Sequence, residues 1–179
     1  MNLPGIYLPY AAISNDNAPS HVVEQFKKIA MDMETRGYTM RTSGNKGVEE
    51  IIESLVSNKE VHVAWKGFNQ RETQFTRVDK AAIELVGTLH PAFNDLKDSV
   101  KTIIARYAHV ILGKDLKSPV RCVVCWTEDG AESAKEVTSR TGVVGHVIIL
   151  CQSLSIPIHN LVRDNVLIRI EKLLGIELG

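Results

Sequence analysis

Tyr38-Thr39-Met40-Arg41-Thr42-Ser43-Gly44-Asn45-Lys46-Gly47-Val48-Glu49 is the stretch on which the reading of the fold turns. A β-prone run, Tyr38 to Arg41, enters it, and an amphipathic run, Val48 to Val56, leaves it. Strand, glycine loop and helix follow one another. Such a loop directs several backbone N–H groups at one point, where the positive end of the helix dipole also falls, so the expected ligand is an anion such as a nucleotide phosphate. A bulky side chain at Gly44 is expected to block that approach. The same two glycines serve equally well in a turn that needs them for steric reasons alone.

The pattern repeats on both sides. Ile6-Tyr7-Leu8 opens a first strand running on to Ile13, and Ser14-Asn15-Asp16-Asn17-Ala18-Pro19 is a loop of turn and capping residues. Val22, Phe26, Ile29, Ala30 and Met33 recur at helical spacing, and Gly37 stops that helix. Beyond the glycine loop, Val48, Ile51, Ile52 and Val56 give the next helix its apolar face, and Glu60 to Ala64 is a third strand. Trp65 to Asn69 is a loop and Val78 to Val86 a short helix. A longer helix is capped at Asn94 or Asp95 and runs to Leu112. Val120 to Cys125 is the fourth strand, Thr127 to Gly130 a loop, and helix returns from Gly142. Ile156 to Asn160 is a fifth strand, placed by Pro157 at a sheet edge or strand start, and residues 164–179 close the chain as a helix. Strands alternating with helices predict parallel βαβ units. The expected fold is α/β: a single Rossmann-like, three-layer domain over residues 1–179, with about five mainly parallel strands and helices on both faces.

Composition narrows the function classes. Apolar content of 44% and charged content of 23% are those of an ordinary globular protein. The 21 basic residues balance the 21 acidic ones, so no global field favours nucleic acid or a membrane surface, and near-zero net charge favours self-association. No apolar run is long enough to span a bilayer, and no basic segment followed by an apolar stretch opens the chain, so neither a membrane nor a secretion signal is expected. Three cysteines, an odd number, suggest reduced thiols and a cytoplasmic setting. Cys122 and Cys125 have C-x-x-C spacing, but they lie in a strand whose alternation sends the two thiols to opposite faces, so no metal or redox pair is expected. The histidines show no metal-ligand spacing. His146 directly follows the Gly142 turn and is a weak candidate for a general acid.

Several segments, in order, resemble the SLOG superfamily of Rossmann-like proteins. The closest likeness is to its small bacterial and phage members, related to the DNA-processing protein A group and to the Lonely Guy group of cytokinin-activating phosphoribohydrolases. The resemblance covers roughly residues 6–161 and rests on Ser14-Asn15-Asp16-Asn17-Ala18-Pro19, Arg41 to Glu49, Ala64-Trp65-Lys66-Gly67-Phe68-Asn69, His90-Pro91, Ala105-Arg106 and Leu112 to Leu116. It continues through Ser118-Pro119, Cys125 to Ala131 and Thr141-Gly142-Val143-Val144-Gly145. The resemblance implies a nucleotide-shaped site. The chain departs from the family pattern where Asp16 replaces the first-loop arginine, Glu49 replaces an aspartate, and Val143 and Val144 replace the Gly and Thr of the third loop. It also lacks the glutamate that the phosphoribohydrolases carry near the position of Gly145.

The candidate ligand-binding residues are Ser14 and Asn15 after the first strand, Ser43, Gly44, Asn45, Lys46 and Gly47 in the second loop, and Arg106 on the long helix. Trp126 and Thr127 past the fourth strand, where an aromatic could stack on a base, and Gly142 and Gly145 complete the set. Glu49 and Asp16 are weak catalytic candidates; Glu49 also suits the helix dipole structurally. No metal and no resident cofactor are expected.

The expected function is binding of a nucleotide or nucleotide-derived molecule, as a sensor or as a phage protein that sequesters a signal and counters host defence. The alternatives are an N-glycosidic-bond hydrolase acting on a nucleoside monophosphate, and a single-stranded DNA-binding protein; neutral charge argues against the last. A homodimer or higher homo-oligomer is expected, in the cytoplasm, which for a phage-encoded chain is that of the host.

Overall fold

The structure, a computed structural model, describes residues 6–179 of the expected 1–179 domain. Five strands, β1 (Pro9–Ser14), β2 (Thr39–Thr42), β3 (Lys59–Val61), β4 (Val123–Trp126) and β5 (Ile158–Asn160), form one all-parallel sheet in the order β3-β2-β1-β4-β5. Six helices connect and close it: α1 (Ser20–Thr35), α2 (Val48–Leu55), α3 (Lys80–Gly87), α4 (Asp98–Leu112), α5 (Val144–Ser153) and α6 (Val166–Leu174). The fold is the expected α/β, Rossmann-like, three-layer arrangement.

Strand alternation sets the layers. Tyr10 and Ala12 of β1 pack with Phe26 and Met33 of α1, Ile52 of α2 and Ile170 of α6. Ala11 and Ile13 point the other way, onto Ala82 of α3, Ile111 of α4 and Ile148 of α5. β1 and β4 are therefore apolar at successive positions, as strands covered on both faces must be. Cys122 and Cys125 enter opposite layers, as alternation predicts. Burial pushes the Cys122 thiol up to about 12 and raises Cys125 well above the usual thiol range, which suits small apolar filler and not a redox pair.

The apolar face predicted for α1, Val22, Phe26, Ile29, Ala30 and Met33, is buried throughout. Boundaries differ where tertiary contacts intervene. α4 starts at Asp98 and not at Asn94 or Asp95, which lie in a 3-10 turn pinned by burial of Phe93. β4 starts at Val123 because the Val120 N–H donates to the Ile111 carbonyl at the end of α4 (2.8 Å), which turns the chain there. α5 starts at Val144, since Gly142 has φ +63°. α6 ends at Leu174 before left-handed Gly175, and Ile176 and Leu178 fold back onto the α1 and α6 layer, so residues 164–179 are only partly helical. No helix among the described residues is long and apolar enough to cross a membrane.

Strand order runs outward from β1 in both directions, to β2 on one side and β4 on the other. The connections leaving β1 and β4 therefore part, and a crevice opens beyond their carboxyl ends.

Candidate functional site

That crevice encloses about 780 Å3. Ser14, Asn15, Asp16 and Asn17 wall it from the end of β1, and Asn45 and Lys46 from the β2–α2 loop. Asn69 reaches it from beyond β3, and Glu128, Ser139, Arg140, Gly142 and Val143 close the β4 side. Of the residues singled out from the sequence, Ser14, Asn15, Asp16, Asn45, Lys46 and Gly142 thus meet at one place. Ser43, Gly44, Gly47, Glu49, Arg106, Trp126, Thr127 and Gly145 do not line it.

The reason lies in the glycine loop. Glu49, fully buried in the first turn of α2, turns its carboxylate back into the loop. One oxygen accepts hydrogen bonds from the Ser43 N–H (2.8 Å), the Ser43 hydroxyl (2.8 Å) and the Asn45 N–H (3.2 Å). The other accepts from the Asn45 side-chain amide (3.1 Å) and, at 3.4 Å, from the Ser14 N–H. The N–H groups of Ser43 and Asn45, expected to converge on a ligand phosphate, converge on this side chain. Glu49 is an internal anion that ties β1 to β2, and its carboxylate is not aimed at the crevice.

The carbonyl side of the loop is equally engaged. Arg106, 1% exposed on α4, donates to the Ser43 carbonyl (3.0 Å), to Asn45 Oδ1 (2.7 Å) and to the Ile103 carbonyl. Its guanidinium carbon lies 4.9 Å from the Phe68 ring centroid and 4.5 Å from that of Tyr107, so it braces the loop from below instead of reaching a ligand. Arg71 donates to the Asn45 carbonyl (2.8 Å) and the Asn69 side-chain amide to the Gly44 carbonyl (3.0 Å). Arg71 is itself paired with Glu53 at 2.7 Å.

The glycines are used for packing. Gly44 has φ +70°, and a Cβ there would lie 2.7 Å from Val63 Cγ1, facing β3 and not the crevice. A side chain at Gly44 is therefore excluded by the protein itself, which corrects the expectation that it would obstruct a ligand. Gly47, with φ +80°, lets α2 approach the backbone of Asp16, 3.1 Å from where a Cβ would stand. A Cβ at Gly142 would meet the Asn15 amide at 2.7 Å; that amide donates to the Thr141 carbonyl (2.9 Å) and so joins the first and third loops.

Trp126 is the last residue of β4 and is buried in the α1, α2 and α6 layer, so it offers no face to a base. Thr127 is buried too, its hydroxyl accepting from the Ala131 N–H (3.2 Å) and the Asn160 amide (2.7 Å). Gly145 lies inside α5, against Val137, beside a separate apolar cavity of about 210 Å3 that also holds His90 and His146. The two imidazoles stack at 5.4 Å, and burial, with His90 and Arg106 nearby, lowers the pKa of His146.

Sequence reasoning did not single out Asn17, Asn69, Glu128, Ser139, Arg140 and Val143 as site residues. Asn17 and Asn69 stood in motifs already noted; Ser139 and Arg140 carry no local signal and arrive through a pair of 3-10 turns. Asp129 organises the second turn by accepting from the hydroxyls of Thr138 (2.7 Å) and Thr141 (2.6 Å). Burial works to raise its carboxyl, but the hydrogen bonds outweigh it and hold Asp129 down to about 2.

No protein-family model, curated protein or solved structure matches this chain.

The lining is rich in amides and hydroxyls and its charges balance, Lys46 and Arg140 against Asp16 and Glu128. Arg140 and Glu128 form an ion pair at 2.7 Å. No group of three or more His, Cys, Asp or Glu among the described residues could hold a metal ion. Such a site can orient a small polar molecule through several hydrogen bonds.

Proposed function

We propose that this chain holds a nucleotide or nucleotide-derived small molecule in the crevice between β1 and β4, as a binding protein. The observation that carries this reading is the place and lining of the crevice: it lies beyond the carboxyl ends of parallel strands, where the strand order reverses, and polar side chains from four segments converge on it. The ordered motifs that resemble SLOG proteins support a nucleotide-derived ligand in particular. On the same resemblance, a phage-type chain would act by keeping such a molecule from its receptor.

Binding is favoured over turnover because Glu49, one of the two catalytic candidates, is buried away from the crevice and committed to five donors of its own loops. Asp16 remains as an exposed carboxylate in the crevice and is the group on which a hydrolase reading would rest. Balanced charge in the crevice gives a polyanionic strand little to bind.

Native mass spectrometry of the protein purified from cells tests the reading. A retained small molecule of nucleotide-like mass is the expected result, and the same spectrum reports the number of subunits. Incubation with nucleoside monophosphates followed by chromatography is expected to release no base. Release that is abolished by Asp16→Ala would replace the binding reading with the hydrolytic one.

A further inference from the structure

Two backbone amides of the β2–α2 loop bind an anion that the chain itself supplies. Ser43 and Asn45 give their N–H groups to Glu49, and the Ser43 hydroxyl and Asn45 side-chain amide add to them. A phosphate brought to the same donors would face a buried carboxylate of like charge, and displacing that carboxylate would leave it without partners in the interior. The lower side of the loop is committed to Arg106, Arg71 and Asn69.

Beside the Lys46 ammonium and the Arg140–Glu128 ion pair, what the crevice offers is hydrogen-bond acceptors. The Asn15 side chain donates its amide to the Thr141 carbonyl, and Asn69 donates its own to the Gly44 carbonyl. Carbonyl oxygens only accept, so these two bonds fix which way each amide points and leave its Oδ1 as the open end. Among the described residues no donor reaches Asn15 Oδ1, Asn69 Oδ1 or the Asn17 side chain. Acceptors call for ligand hydroxyls and amines, and a phosphate carries neither.

Resting on the crevice reading, we infer that this site recognises its ligand through a neutral, hydroxyl- and amine-bearing nucleoside moiety, and that the Ser43–Gly47 loop reads no phosphate. A phosphate on the ligand projects away from that loop and adds little to affinity.

The test is calorimetric titration of the intact chain with adenosine, guanosine, cytidine and uridine, each set against its 5′-monophosphate. At least one nucleoside is expected to bind, with its monophosphate within about threefold in Kd. Asn17→Ala, an exposed side chain without hydrogen bonds in the fold, is expected to weaken that nucleoside by roughly two- to tenfold, the scale of one hydrogen bond. A monophosphate bound more than about tenfold more tightly than its nucleoside overturns the inference and leaves the crevice reading standing. Undiminished nucleoside binding by Asn17→Ala combined with lost binding by Lys46→Ala overturns it as well. Binding by none of the eight compounds also overturns it, and the mass retained in native spectrometry then decides separately whether the crevice reading survives.

Discussion

Gly44→Ala isolates what the glycine loop is for. At φ +70° an alanine pays about 1–2 kcal/mol for the left-handed backbone. Its Cβ would also stand 2.7 Å from Val63 Cγ1, with Arg71 Cγ at 3.4 Å and Val61 Cγ1 at 3.5 Å, so the contact cannot be relieved without moving the Val63 side chain, just beyond β3. Overpacking of this kind costs about 1–3 kcal/mol, for a total of about 2–5 kcal/mol. That is a large share of the roughly 5–15 kcal/mol that holds a domain together. Urea unfolding of Gly44→Ala, Val63→Ala and the double variant separates the two parts. Removing the Val63 methyls takes away the steric part and leaves the backbone part, so the double variant is expected to be more stable than the sum of the single losses by about 1–3 kcal/mol. Strictly additive losses, or a Gly44→Ala cost below about 1 kcal/mol, would refute the packing argument. The folded double variant is further expected to bind ligand as the native chain does, because the missing Cβ faces β3 and not the crevice.

Glu49→Ala vacates the loop's internal anion and is expected to cost at least about 3 kcal/mol, since the buried donors it satisfies are left unpaired at about 1–3 kcal/mol each; added formate, a free carboxylate, should raise its melting temperature relative to chloride while leaving the native chain unmoved. His62, His146 and His159 all have pKa values lowered chiefly by burial, so each is neutral in the fold and takes up a proton more readily on unfolding. The contribution of these three imidazoles is therefore full above about pH 6.5 and falls as pH drops below it, read as a smaller acid loss of urea midpoint in His159→Phe than in the native chain. Asp129 is held down to about 2, so its contribution is present above the ordinary carboxylate range and is lost as pH falls from about 4 toward 2; Asp129→Asn should flatten acid unfolding in that interval and loosen the turns around Thr138 and Thr141, seen as faster amide exchange there. Trp65 is 42% exposed and Trp126 buried, so iodide is expected to quench only part of the tryptophan fluorescence and none of the quenchable part in Trp65→Phe.

Periodicity made the layers legible. Two-residue alternation in β1 and β4 and the helical spacing of Val22, Phe26, Ile29, Ala30 and Met33 depend on local geometry, and the structure keeps both. Element ends were less legible because they depend on contacts far away in sequence, such as Val120 with Ile111 or Phe93 with its core. The crevice was half legible. Turn residues after β1 and β2 mark it, but the direction in which a loop's N–H groups are used is not a local property. Ser43-Gly44-Asn45 reads the same whether it faces a ligand or a glutamate four residues further on. Arg106 likewise reads as a ligand for phosphate until Phe68 and Tyr107 are seen against its guanidinium. Arg140 has no sequence signature at all, since two 3-10 turns deliver it.

The internal carboxylate of Glu49 also bears on how much working protein a cell holds. Many ligand-binding chains are stabilised by their ligand and fall in abundance when it is scarce. Here the loop that would otherwise wait for an external anion is completed during folding by a residue of the chain, so its order needs no external anion, and a crevice ligand adds stability by mass action alone. The loop is in place before any small molecule arrives, so binding carries no entropy cost for ordering it.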